Sequence, residues 1–180
     1  MSPASGIKRL FPGMGCMMLV LALVVPFQVR AESELEAKVK AAYLYHLTSF
    51  VDWPSLPPDA LHICVLGVDP VGDMLLELSG RQVKERVLKI DVNVHADLAQ
   101  CQVLFISRSE RRWGDVLARL HSASVLTVSD HQDFAQGGGV IGFYSEDGKI
   151  RLEINPAAAR NANLRISAKL MEMARTVPSP

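Results

Sequence analysis

Leu61-His-Ile-Cys-Val-Leu66, followed by Gly67-Val68-Asp69-Pro70, is the stretch on which the fold turns. The first six residues are nearly all apolar and lack the strict alternation of a half-solvated strand. Such a run, stopped by a glycine, predicts a strand covered on both faces, as in the centre of a parallel sheet. Asp69 is a good helix cap and Pro70 suits the first helical position. A helix is therefore expected to run on through Met74, Leu75 and Leu78 and to end at Gly80.

The same strand-then-helix rhythm continues downstream. Leu88, Ile90, Val92 and Val94 alternate with Lys89, Asp91 and Asn93, which predicts a half-exposed strand near an edge. Val103 to Ile106 reads as a second buried strand, Trp113 to Leu120 as an amphipathic helix, and Val125 to Val128 as a third strand. Ser129 or Asp130 is expected to cap a short helix through Phe134, and Gly137-Gly138-Gly139 to form a turn. Val140 to Tyr144 and Ile150 to Ile154 flank Asp147-Gly148, a hairpin signal. Asn155-Pro156 stops the second of these strands. Ala157 to Ala162 and Ser167 to Ala174 close the chain as helices, with a frayed tail at Pro178-Ser179-Pro180. The pattern predicts a three-layer α/β domain: a central mixed, largely parallel sheet, helices on both faces, and a C-terminal antiparallel hairpin.

Upstream, Leu35 to Phe50 has helical period, with Leu35, Val39, Ala42, Tyr43, His46, Leu47 and Phe50 on one side and Glu36, Lys38 and Lys40 elsewhere. Trp53-Pro54 ends that helix. Before it stand a basic head (Lys8, Arg9), an apolar run from Met14 to Phe27, and Val29-Arg30-Ala31, with small residues at −3 and −1 of a cleavage point. Residues 1–31 thus read as a secretory signal peptide and residues 32–180 as the single exported domain. The apolar run is about 14 residues, short of the ~20 that cross a bilayer. Cys16 stands at the start of the apolar stretch rather than after it, so a lipoprotein site is not expected there.

Cleavage removes Lys8, Arg9 and Arg30 and no acid. Against 19 acidic residues the 19 basic ones fall by three, a net charge of about −3. No basic patch stands out, so nucleic acid is not an expected partner. No second long apolar run exists, so no membrane insertion is expected after cleavage. Cys64 and Cys101 are the thiols that remain. An even count in an oxidising compartment reads as one disulfide, and two separately buried thiols are the alternative. Closing a loop of about 38 residues stabilises a fold by ~4 kcal/mol in the chain-entropy account.

Catalytic patterns are weak. Ser129-Asp130-His131 has the residue types of a hydrolase triad, but adjacent residues do not converge as a triad requires, and no Gly-x-Ser-x-Gly elbow is present. The triple glycine precedes a strand rather than a helix and lacks the Lys-Ser/Thr of a phosphate loop. The five histidines show no metal-ligand spacing, and His62 reads as a hydrogen-bonded strand residue. No metal and no cofactor are expected. Two positions invite a binding reading. Asp69 to Gly72 follows a strand and opens a helix, where open α/β sheets take ligands. Lys149, Arg151, Glu153 and Asn155 alternate with Ile150, Leu152 and Ile154, giving a polar stripe that is either a solvated or fold-supporting face or a surface for another protein.

Lys40-Ala-Ala-Tyr-Leu-Tyr-His-Leu-Thr-Ser-Phe-Val-Asp-Trp-Pro54 resembles the opening helix of the YfiR/HmsC family of periplasmic regulators. Arg151-Leu-Glu-Ile-Asn155, after Leu126-Thr-Val-Ser-Asp130 and the glycine turn, resembles its closing hairpin. Cys64-Val-Leu-Gly-Val-Asp-Pro70 and Cys101-Gln-Val-Leu-Phe-Ile-Ser107 fall between them in the family's order. The likeness covers roughly Lys38 to Ala174. The chain departs from the family at His46-Leu47, usually Asn-Phe, and at Leu152, usually aromatic.

The resemblance implies a small, non-enzymatic periplasmic repressor with a structural disulfide and a capacity to dimerise. Its partner would be the periplasmic sensor domain of an inner-membrane diguanylate cyclase, which it holds inactive. An outer-membrane lipoprotein would sequester the repressor, raising cyclic di-GMP and promoting biofilm. The competing expectation is a periplasmic small-ligand sensor module feeding a histidine kinase or a transporter, in which the Asp69 to Gly72 loop would matter.

Overall fold

The structure, a computed structural model, describes residues 25–177 and, from Glu34 onward, their side chains. Residues 1–24 of the expected signal peptide lie outside the described residues, as does the tail from Pro178 to Pro180. Residues from Glu34 onward form one compact unit, which holds every strand among the described residues.

In chain order the elements are α1 (Val25–Phe50), β1 (Val51–Asp52), β2 (Ala60–Leu66), α2 (Pro70–Leu76), β3 (Gln82–Val83) and β4 (Arg86–Val92). After a 3-10 turn at Leu98–Gln100 come β5 (Val103–Ile106), α3 (Trp113–Arg119), β6 (Leu126–Ser129), β7 (Ile141–Glu146) and β8 (Lys149–Ile154). The chain ends in α4 (Pro156–Asn161), β9 (Arg165–Ile166), α5 (Ala168–Met173) and β10 (Arg175–Thr176). Eight strands form one sheet in the order β10-β8-β7-β6-β5-β2-β4-β3. Only β7–β8 and β3–β4 pair antiparallel in it. A separate two-stranded ribbon joins β1 to β9, pinning the end of α1 beside the C-terminal helices.

The opening stretch behaves as its composition requires. Strand β2 runs parallel between β4 and β5, and its side chains divide between two cores. Leu61, Ile63 and Val65 point to the side covered by α1, α2, α4 and α5, together with Val103, Phe105, Leu126 and Val128. Cys64 and Leu66 point to the side covered by α3, with Leu104, Ile106, Val116, Leu120 and Phe134. Each fully buried Leu, Ile or Phe contributes about 1.5–3 kcal/mol, so two filled faces hold the sheet between its layers. Strand β4 has only the two-residue β3 beyond it, and its outer face stays partly solvated, as the alternation from Leu88 predicts.

Local chemistry sets the ends of several elements. Asp69 caps α2 through Oδ1, which accepts from the Val71 N–H at 2.9 Å, with Pro70 at the first position. Asp147 (φ 51) and Gly148 (φ 69) take two successive left-handed conformations, the geometry that joins the twisted β7 and β8. Asn155 Oδ1 caps α4 by accepting from the Ala158 N–H at 2.9 Å.

Three expectations are corrected. Helix α1 turns a different face inward: Ala37, Lys40, Ala41, Leu44, Leu47 and Thr48 are buried, while Leu35 is 64% exposed. Two helical stripes share Leu47, and the inward one is chosen because Ala37 and Ala41 allow close approach and Lys40 finds a carboxylate. Helix α2 ends at Leu76, and turns carry the chain to Gly80. Ser129 and Asp130 cap no helix: Ser129 belongs to β6, and the chain from His131 to Gly138 is bend and turn. Asp130 is taken instead by α1.

Candidate functional site

The parallel strands β2, β5 and β6 deliver their C-terminal ends to one edge of the sheet. The chain leaves β2 for β4 on one side and returns from β4 to β5 on the other, so this edge is also where the winding reverses. Helices α2 and α3 lie on opposite faces there. Crevices at such reversals are where open α/β sheets take ligands. The segments that meet are Gly67 to Asp69 after β2, Ser107 to Ser109 after β5, and Asp130 to His131 after β6.

The serines at this edge organise backbone. Ser107 Oγ donates to the Val68 carbonyl at 3.1 Å, so Ser109 Oγ is the donor in the 3.0 Å contact between the two hydroxyls. Ser109 Oγ in turn accepts from the Val68 N–H at 2.9 Å. Ser129 Oγ donates to the Ile106 carbonyl at 2.6 Å and accepts from the His131 N–H. His131 Nε2 lies 3.0 Å from the Ser107 carbonyl, which only accepts, so that nitrogen carries the proton. Ser129, Asp130 and His131 therefore do not converge as a nucleophile, base and orienting acid.

Asp130 is the centre of the edge. It is 5% exposed, and its Oδ2 accepts from Lys40 Nζ at 2.5 Å, across 90 residues of sequence. Lys40 also meets Glu36 one helical turn earlier, at 2.6 Å. Arg108 Nε donates to the Asp130 carbonyl at 2.9 Å and stands 3.4 Å from Oδ2. Burial works to lower the Lys40 ammonium, but its hydrogen bonds to Asp130 and Glu36 outweigh that and hold it above its ordinary value. Burial pushes the Asp69 carboxyl up. The Val71 N–H opposes this, the charge of Asp130 adds to it, and the net shift is upward. Asp130 Oδ1 has no hydrogen-bond partner among the described residues. In the sequence Asp130 reads as a helix cap or a weak triad member, and Lys40 as a charge off the apolar stripe of its helix. Their pairing had no local signature.

The residues singled out from the sequence fall into different settings. Cys64 and Cys101 are joined in a disulfide with Cα atoms 5.9 Å apart, tying β2 to the turn before β5 inside the α3-side core. Asp69 caps its own helix. Gly72 is buried, and a Cβ there would lie 3.2 Å from Val92, so its small size serves helix-to-sheet packing. Glu153 is buried on β8 and accepts from Arg175 Nε at 2.8 Å, and the Arg175 guanidinium lies 3.8 Å over the Tyr144 ring. Asn155 spends both ends of its amide, on the α4 cap and on the Ala135 carbonyl at 2.7 Å. Lys149 and Arg151 of the stripe are exposed, with Arg151 3.7 Å from Glu146. The structure does not bring the stripe together with the Asp69 loop. His62 Nδ1 meets Asp91 at 2.8 Å, as expected of a hydrogen-bonded strand histidine.

Among the described residues, no helix is long and apolar enough to cross a membrane. No cluster of three His, Cys, Asp or Glu suited to a metal occurs among them. Comparison with solved structures shows the fold. The ABC domain in complex with L-Trp from Streptococcus pneumonia matches with a TM-score of 0.50 at 7% identity, over 78% of this chain and 60% of that one. A conserved domain protein from Vibrio cholerae matches with a TM-score of 0.50 at 11% identity, over 79% of this chain and 60% of that one. The chain thus spans about 60% of the length of these structures, both α/β domains. No curated protein matches it in sequence. A family model covers residues 37–175, from the first buried turn of α1 to the start of β10, and its members are periplasmic and known as regulatory: the chain belongs to the YfiR/HmsC-like family, DUF4154.

Proposed function

We propose that this protein is a non-enzymatic periplasmic repressor, exported by residues 1–31, that binds the periplasmic sensor domain of an inner-membrane diguanylate cyclase and holds it inactive. The family match across residues 37–175 carries this reading. The chemistry of the sheet edge agrees with it. The serines there are spent on backbone, and the one histidine donates to a carbonyl, which leaves no activated nucleophile.

Repression by binding requires differential affinity: the protein inhibits to the extent that it prefers the inactive conformation of the cyclase. Sequestration by an outer-membrane lipoprotein would then raise cyclic di-GMP by mass action, and a homodimer would present two copies of the binding face. The disulfide supports this role by fixing β2 against the β5 turn in an oxidising compartment.

The test is deletion of the gene with measurement of cyclic di-GMP, paired with pull-down of the cyclase's periplasmic domain by the purified protein. The expected result is a rise in cyclic di-GMP reversed by complementation, together with direct binding. Unchanged cyclic di-GMP and no binding would refute the reading.

A further inference from the structure

A helix packed on a domain by one face normally shows a polar face to water, and an apolar row left outside calls for a partner. Helix α1 buries Ala37, Ala41, Leu44 and Leu47. Leu35, Val39, Ala42 and His46 stay exposed along one line, spaced four, three and four residues apart. Leu35 is 64% exposed and Val39 36%. Alternating steps of four and three keep one row of side chains facing a second helix, as in the seam of a coiled coil. Beside the row, between α1 and α2, lies a hollow of about 300 Å³ whose walls include Ala42, His46, Met74 and Leu78.

The row is complementary to itself. Two copies of α1 laid antiparallel about a twofold axis midway between Val39 and Ala42 set Val39 over the small Ala42 of the other copy. The same rotation sets Leu35 over His46, at the wall of the hollow. A twofold axis repeats every contact, so one operation seats a leucine in a hollow at both ends of the seam. Charge agrees with this fit. Leu35 stands between Glu34 and Glu36, while Lys38, Glu77 and Arg81 line the hollow with a balance of one positive charge. Glu34 already lies 2.7 Å from Lys38 of its own helix, an exposed pair that loses little by being shared across the axis. Knob and hollow belong to one chain at matching positions, which favours a second copy of this chain over any other occupant.

We propose that the outward row of α1 is the seam of an antiparallel homodimer, with Leu35 of each copy seated in the α1–α2 hollow of the other. Four layers of side chains make a small interface, so the dimer is reversible, with a dissociation constant on the order of micromolar. The seam lies on the side of the sheet opposite α3 and the disulfide. It is independent of whether the protein represses a cyclase.

The experiment is sedimentation velocity of the purified, disulfide-bonded protein from about 1 to about 100 micromolar. A monomer–dimer equilibrium that shifts with concentration is expected. Leu35→Asp removes the seated side chain and adds an acid beside Glu34 and Glu36. Because Leu35 is exposed, this change should leave the fold intact by circular dichroism and weaken dimerisation about tenfold or more. Cysteines read the register. Leu35→Cys protein mixed with His46→Cys protein should cross-link between chains on oxidation by copper phenanthroline in air. Neither variant alone should, because identical residues of two antiparallel copies stand about 16 Å apart along the seam, beyond the reach of a disulfide. A protein that stays monomeric throughout, a folded Leu35→Asp that dimerises as the parent does, a mixture that fails to cross-link, or Leu35→Cys cross-linking to itself overturns the proposal. A monomeric parent whose Leu35→Asp variant no longer pulls down the cyclase domain would assign the row to that partner instead. Repression is read separately by the gene deletion, so either reading can fail while the other stands.

Discussion

Lys40 and Asp130 form a buried ion pair that fastens the first long helix to the C-terminal end of the strand β6, with both side chains less than a tenth exposed. Removing one partner of such a pair strands the other charge in the interior and typically costs about 3–5 kcal/mol. Lys40→Met should therefore destabilise strongly, and Lys40→Met with Asp130→Leu should recover a large part of the loss. Urea denaturation of the four members of that cycle measures the coupling. Additive losses from the two single changes would show that the pair is not the unit that holds α1.

Asp69 gives a pH dependence whose sign follows from its environment. Its folded carboxyl titrates above the ordinary value, chiefly because it is buried. A raised acid favours the protonated fold, so its contribution is fully present below the unfolded pKa of about 4 and is lost as pH rises through the folded value. Asp69→Asn keeps a capping oxygen for the Val71 N–H and removes the charge. The variant should be at least as stable as the parent at neutral pH, with the difference vanishing in acid. Asp69→Ala, which loses the cap, should be less stable by about 1 kcal/mol. Melting curves across the acid range of pH distinguish the three.

The Cys64–Cys101 bond closes the segment that contains α2 and β4. Its removal by Cys64→Ser with Cys101→Ser should cost about 4 kcal/mol on the chain-entropy estimate. Reductant should lower the melting temperature of the parent and leave the double variant unchanged. If repression depends on the same strands, the double variant should also raise cyclic di-GMP.

Much of this architecture is legible in the residues. The apolar run at Leu61 to Leu66, the Asp69-Pro70 helix start and the Asp147-Gly148 turn each carry their structure locally, and all three form as read. What is not legible depends on partners distant in sequence. Lys40 looks like a solvated charge until Asp130 is placed beside it. Glu153 and Asn155 look like a surface stripe until β10 and the Ala135 carbonyl take them up. The period of α1 identifies a helix but not its inward face, because two overlapping stripes satisfy the same spacing. The sheet edge is assembled from three separate segments, with Lys40 of α1 reaching it from a fourth, so nothing in any one of them marks it.

Gly139 shows a constraint that composition hints at without giving its cause. A Cβ on it would run into the Phe134 ring, which is packed in the α3-side core. Gly139→Ala must push that ring out of place, and overpacking of this kind costs about 1–3 kcal/mol. Alanine at Gly114, where a Cβ meets open space, should instead be neutral or mildly stabilising on its short helix. Comparing the melting temperatures of the two variants separates the effect of the ring from glycine's general flexibility.

The polar stripe on β8 gives the sharpest test of where a partner docks, because its members are now unequal. Glu153 is buried against Arg175, so Glu153→Lys places a cation beside a cation and should unfold the C-terminal edge; any loss of repression there reports stability. Arg151 is about half exposed and 3.7 Å from an exposed Glu146, an ion pair of a kind worth little. Arg151→Glu should therefore leave the stability within about 0.5 kcal/mol of the parent. If this face binds the cyclase, the same change should weaken pull-down of its periplasmic domain and raise cyclic di-GMP. Full repression by a normally folded Arg151→Glu protein would move the interface off β8.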